Sequence, residues 1–119
     1  MLFRSHYIGR EVEAYATLPG GEQLPLITID DWDFRWQDSY VYREPVRLPK
    51  GTRIEALFRY DNSATNPFNP SAPPRRVKEG WQTTDEMCLF YFSIVPADPK
   101  DLGAIRRAAF ESFLRPSDP

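Results

Sequence analysis

The chain has very few of the residues that build disulfide frameworks and histidine-rich sites. Its 119 residues include one cysteine, Cys88, and one histidine, His6. A single cysteine cannot form an internal disulfide, so the fold must be held together by packing, and we expect Cys88 to be a small buried residue in a strand. With one imidazole available, any hydrolytic triad would have to centre on His6.

Other features are missing as well, and each excludes a class of function. The net charge is −2 without a basic patch, which argues against a nucleic-acid partner. No apolar run approaches the roughly 20 residues that a membrane span needs. We expect no export signal, because the segment Met1-Leu2-Phe3-Arg4 is too short to be one. There is also no glycine-rich phosphate loop and no believable context for a serine nucleophile.

Aromatic residues and prolines, by contrast, are abundant. Three Trp, six Tyr and eight Phe favour strands, while twelve prolines exclude long helices from most of the chain. Alternating patterns predict strands at 11–18, 24–29, 32–36, 40–43, 45–48, 53–60 and 88–95, the last being the most apolar and central. Residues 10–29 read as a hairpin, and a helix begins near Pro99 with Ile105, Ala108, Ala109 and Phe113 on one face.

This pattern predicts an all-β fold, an antiparallel jelly-roll-like β-sandwich with one short C-terminal helix. We expect the sandwich at 1–96, and the helix and tail at 97–119 packed on it or trailing from it. The connection at 61–79 has no periodicity and is rich in asparagine and proline. We expect most of its asparagines to cap turns by bonding to the backbone.

The segment 82–88, Gln-Thr-Thr-Asp-Glu-Met-Cys, is the most informative stretch. Met87 stands where a loop enters the apolar strand, and its soft thioether favours Cu(I) among the common biological metals. The alternative is that Met87 fills a gap in the core. Asp85 and Glu86 could be paired acids for proton transfer, although shaping the turn is the simpler role. Residues 30–33 carry three aspartates but lack the spacing of a calcium loop.

Residues 80–88, Gly-Trp-Gln-Thr-Thr-Asp-Glu-Met-Cys, resemble the methionine-ligand motif of the copper type II, ascorbate-dependent monooxygenases, specifically of their C-terminal domain. That family includes peptidylglycine alpha-hydroxylating monooxygenase and dopamine beta-monooxygenase. The resemblance extends from about Leu2 to Val95 and implies a β-sandwich. It also implies that Met87 and a His-x-His pair hold the copper at which oxygen is activated.

The start of the chain resembles the same family, with one departure. Residues 4–10, Arg-Ser-His-Tyr-Ile-Gly-Arg, align with the family segment His-x-His-x-Leu-Gly-Lys. His6 then takes the place of the second histidine and Arg4 that of the first. A guanidinium has no lone pair for a metal, and its charge opposes that of the ion. The resemblance therefore implies the metal ligands His6 and Met87, with copper bound weakly or lost.

The resemblance also implies further expectations. Tyr91 matches a strand tyrosine near substrate, whereas Leu89 replaces a peptide-contacting asparagine, which argues against a peptidylglycine substrate. The family's cycle needs ascorbate and a first copper domain, so we expect no hydroxylation from this chain alone. That domain, or another domain of a larger protein, is the expected partner. A lone cysteine agrees with a bacterial member. Family relatives are periplasmic or secreted, and the compartment of this chain stays open.

Two hypotheses follow. In one, the chain is the oxygen-activating copper domain of a monooxygenase, with an incomplete site. In the other, it is a non-catalytic β-sandwich interaction module derived from that domain, which docks through the aromatic residues Trp32, Trp36, Tyr40 and Tyr42. The first hypothesis expects a ring nitrogen of His6 and the sulfur of Met87 to face a common space, within roughly 5 Å of each other.

Overall fold

The computed structural model describes the backbone of residues 1–114 and the side chains of residues 1–111. Within this part of the chain, five strands form two antiparallel sheets and one helix follows them. The elements are β1 (Leu2–Ser5), β2 (Gly9–Thr17), β3 (Gln23–Ile29), β4 (Arg53–Tyr60), β5 (Cys88–Tyr91), a 3-10 turn (Pro99–Asp101) and α1 (Leu102–Leu114). The all-β sandwich with a short C-terminal helix is confirmed. Residues 115–119 of the predicted tail lie outside the described part.

The larger sheet has the strand order β3-β2-β4 and contains the predicted hairpin. The turn between β2 and β3 passes through Gly21, whose φ of 87° is a conformation that glycine adopts without steric cost. β2 pairs with β4 along its whole length, from Gly9 opposite Tyr60 to Thr17 opposite Arg53. Alternation therefore located these strands correctly, because one face of each is buried and the other is wet.

Residues 32–48 contain none of the three strands that the alternation predicts. Asp33 accepts a hydrogen bond at 2.8 Å from the backbone N–H of Arg35, and the Trp36 N–H donates to the Asp33 carbonyl at 2.9 Å. This aspartate-centred turn breaks the extended backbone. The segment 40–48 is held near β1 by a bridge between Leu2 and Ser39, and Pro45 interrupts it.

The smaller sheet consists of β1 and β5, with Leu2 opposite Tyr91 and Ser5 opposite Cys88. β5 is therefore a short edge strand, and the prediction of a central strand reaching Val95 was wrong. Cys88 is exposed, so its predicted burial was also wrong. A short strand in a two-stranded sheet covers only part of its neighbours, which leaves its ends open to water.

The core lies where the two sheets meet. Phe3 of β1 is fully buried, and its ring stacks on Phe90 of β5 with centroids 4.9 Å apart. It also meets the edge of Phe58 from β4, so one aromatic side chain joins both sheets. Trp32 is 3% exposed and packs in the same cluster. The expectation that Trp32 belongs to a docking surface is therefore wrong, whereas Trp36 is indeed exposed at 72%.

The connection at 61–79 is organised by its asparagines, as predicted. Asn66 donates to the Asp61 carbonyl and accepts from the Phe68 N–H. Asn69 donates to Asn62, which in turn donates to the Arg75 carbonyl at 2.8 Å. These bonds satisfy backbone groups that a loop would otherwise leave to water.

The C-terminal helix begins as the sequence predicts. The Asp98 side chain accepts from the Lys100 N–H at 2.9 Å and caps the 3-10 turn that leads into α1. Ile105 is half-buried, but Ala108 and Ala109 are exposed, and the side chain of Phe113 lies outside the described part. α1 packs chiefly against the turn before it. Across the described residues, no helix is long and apolar enough to cross a bilayer.

Candidate metal centre

The strand register brings His6 and Met87 to corresponding positions. β1 and β5 are antiparallel, and their last pair is Ser5 opposite Cys88. His6 directly follows Ser5 and Met87 directly precedes Cys88, so both lie one residue beyond the end of the ladder. Residues opposite each other in antiparallel strands have Cα atoms about 4.5–5.5 Å apart. His6 and Met87 therefore both lie at the same end of the small sheet.

His6 is held in a fixed orientation at this end of the sheet. It is 4% exposed, and its Nδ1 lies 3.0 Å from the Asp85 carbonyl oxygen. A carbonyl oxygen can only accept, so the neutral imidazole carries its proton on Nδ1. Nε2 then keeps its lone pair. A backbone carbonyl on one ring nitrogen and a free lone pair on the other is the usual arrangement of a metal-ligating histidine.

The chain on either side of His6 is tightly folded. The Gly9 N–H donates to the His6 carbonyl at 3.1 Å and closes a turn directly after β1. A Cβ at Gly9 would lie 2.6 Å from the Ser5 hydroxyl oxygen, so glycine is needed for this close approach. The edge of the Phe34 ring faces the imidazole, with centroids 6.3 Å apart. Ring and backbone together keep water from most of the His6 surface.

The loop before Met87 is shaped by backbone bonds and by Asp85. The Gly80 N–H donates to the Glu86 carbonyl at 3.0 Å, and the Glu86 N–H donates to the Lys78 carbonyl at 2.9 Å. The Asp85 carboxylate accepts from the Gln82 N–H at 3.1 Å. Asp85 therefore shapes the turn, as the simpler interpretation expected, and its carbonyl is left aimed at His6.

The other predicted site residues lie apart from this pair. Arg4 is exposed on β1, two residues before His6 and opposite Leu89 of β5. Tyr91 is 54% exposed at the far end of β5, four residues or roughly 13 Å from Met87 along the strand. Met87 itself is half-buried. The roles of His6 and Met87 as ligands and of Tyr91 at substrate remain predictions.

Tyr60 was missed by sequence reasoning and lies beside this end of the small sheet. Burial raises the pKa of the Tyr60 phenol well above its usual range, and the adjacent Cys88 thiol raises it further. Tyr60 ends β4, opposite Gly9 of β2. The alternation of β4 puts Tyr60 on the inward face, but only the tertiary fold brings it to Cys88.

Two of the three aspartates at 30–33, Asp31 and Asp33, are engaged in ion pairs. Asp31 binds the Arg10 guanidinium at 3.1 Å, and Asp33 binds Arg35 at 2.7 Å. The same arginine lowers the pKa of Asp33 to about 2, chiefly through its side-chain hydrogen bond. These carboxylates therefore meet guanidinium groups rather than converging on a cation.

A comparison with known protein families agrees with this geometry. Residues 2–100 match the family model described as copper type II ascorbate-dependent monooxygenase, C-terminal domain. The chain belongs to this family. No curated protein and no solved structure gives a significant match. The match ends just before α1. That the chain is a bacterial member of the family stays a prediction.

The residues of this copper monooxygenase domain fit a copper ion only in part. His6 offers a lone pair on Nε2, and Met87 offers a soft thioether, both suited to Cu(I). The guanidinium of Arg4 has no lone pair for a metal ion and carries a permanent positive charge. Among the described residues, no group of three or more His, Cys, Asp or Glu side chains could hold a metal ion. His6 and Met87 carry atoms of a kind that binds Cu(I), and Arg4 does not.

Proposed function

We propose that this chain is the copper-holding C-terminal domain of a copper- and ascorbate-dependent monooxygenase, with an incomplete copper site. The main observation that supports this proposal is the pairing of β1 with β5. Its last pair is Ser5 and Cys88, and His6 and Met87 are the next residues beyond that pair. The hydrogen bond from His6 Nδ1 to the Asp85 carbonyl supports the same proposal, because it leaves Nε2 to bind a metal.

Copper bound here would supply the one-electron chemistry that C–H hydroxylation needs. The chain's own part is to hold and orient the ligands. Asp85 fixes the tautomer of His6, and the turn closed by Gly9 fixes its backbone. Phe34 shields one side of the imidazole. Arg4, two residues before His6, carries a permanent positive charge that weakens cation binding nearby.

The two-domain reaction of the family defines the partner. We propose that a first copper domain, in the same or another polypeptide, delivers the second electron, and that ascorbate is the reductant. The substrate would approach Tyr91, whose ring is exposed on β5, the strand that Met87 precedes. With Arg4 in place of a ligand, hydroxylation by this chain is expected to be negligible.

A Cu(I) titration against a chromophoric competitor tests the proposal. The exposed Cys88 thiol would bind Cu(I) itself, so the titration uses the Cys88→Ser chain throughout. We expect weak binding at one site, with His6→Gln and Met87→Leu each lowering the affinity by about tenfold or more. Equal Cu(I) affinity of the Cys88→Ser chain and of its two variants would contradict the assignment. So would tight stoichiometric binding that neither substitution weakens.

A non-catalytic interaction module is the second candidate, favoured by Arg4 and by the apolar surface around β5. This reading expects the Cys88→Ser chain to bind no Cu(I) above background. It also expects His6→Gln to affect only stability, because the imidazole would then serve solely to bond the Asp85 carbonyl. The same titration, paired with denaturant unfolding, separates the two functions.

A further inference from the structure

We draw no further inference here: the strongest candidate, the small aromatic pocket of about 100 Å³ that Tyr7, Trp32, Phe34 and Phe68 line beside the Asp33–Arg35 ion pair, carries nothing, because the indole Nε1 of Trp32, the one buried unpartnered donor among the described residues that line it, is too enclosed for a ligand to reach, and nothing else in the structure shows what would occupy the pocket.

Discussion

At the scale of single residues, the structure separates side chains that sequence reasoning treats alike. Trp32 and Trp36 share one alternating segment, yet Trp32 is in the core and Trp36 is in water. Cys88 and Met87 are adjacent, yet Cys88 is exposed and Met87 is half-buried. His6 owes its environment to Asp85, a residue 79 positions away. Such long-range partners have no signature in local sequence.

Substitution of Met87 distinguishes a core methionine from one at an open site. Met87→Ala should lower the free energy of unfolding by less than about 2 kcal/mol, because a half-buried side chain loses only part of the packing energy of a core residue. Denaturant unfolding measures this loss of stability, provided that the m-value is the same for the variant and the parent chain. Phe3→Ala, at a fully buried position, serves as the reference and should cost about 3–5 kcal/mol. A similar loss in both variants would show that Met87 acts as core.

Tyr60 gives the chain a characteristic alkaline behaviour. Its phenol has a raised pKa in the folded state, so the neutral form is favoured there, and this contribution to stability is present below pH 10. It is lost as the pH rises towards the folded-state value. In a titration of tyrosinate absorbance, Tyr60→Phe should remove the last phenol to ionise. An unchanged late component would show that another tyrosine is responsible.

At the scale of elements, periodicity located the strands that have one wet and one buried face. β2, β3 and β4 follow the predicted ranges closely, because each pairs along its length within one sheet. Periodicity failed in residues 32–48, where an aspartate turn and Pro45 override the alternation. The alternating pattern also extends beyond the observed end of β5. The strand ends at Tyr91, the last residue that pairs with β1, although the pattern continues to Val95. For the candidate site, sequence reasoning named His6 and Met87, whose role as ligands stays a prediction, but it did not predict the pairing of β1 with β5 beside them.

The loop that carries Asp85 depends on Gly80. A Cβ at Gly80 would lie 2.2 Å from Asp85 Oδ2 and 2.7 Å from its Cγ, so Gly80→Ala must push the carboxylate off the Gln82 N–H. We expect a loss of about 1–3 kcal/mol in the free energy of unfolding.

Gly20→Ala is the matched control for this test. No atom lies within 4 Å of a Cβ at Gly20, and its φ is not positive. It should change stability by no more than about 0.5 kcal/mol. Equal effects of the two substitutions in chemical unfolding would contradict the close packing of Gly80 on Asp85.

At the scale of the whole molecule, we expect the sandwich and the helix to depend little on each other. α1 packs chiefly on its own preceding turn, and the family match ends at residue 100. Removing residues 102–119 should therefore change the unfolding free energy of the sandwich by less than about 1 kcal/mol. Denaturant unfolding monitored by tryptophan fluorescence measures this change. A fall of 2 kcal/mol or more in the free energy of unfolding would show that the helix supports the β-sandwich. The proposed domain division at residue 96 predicts the smaller change.

The central claim is that His6 and Met87 are two ligands of a copper site whose third ligand has been replaced by Arg4. The decisive measurement is the Cu(I) affinity of Arg4→His beside Arg4→Gln, both in the Cys88→Ser chain. Arg4→Gln removes the positive charge alone, whereas Arg4→His also adds an imidazole two residues before His6. The account predicts that Arg4→His binds Cu(I) about tenfold or more tightly than Arg4→Gln, and that Met87→Leu abolishes this gain. Equal affinities for the two Arg4 variants, or a gain that survives Met87→Leu, would contradict it.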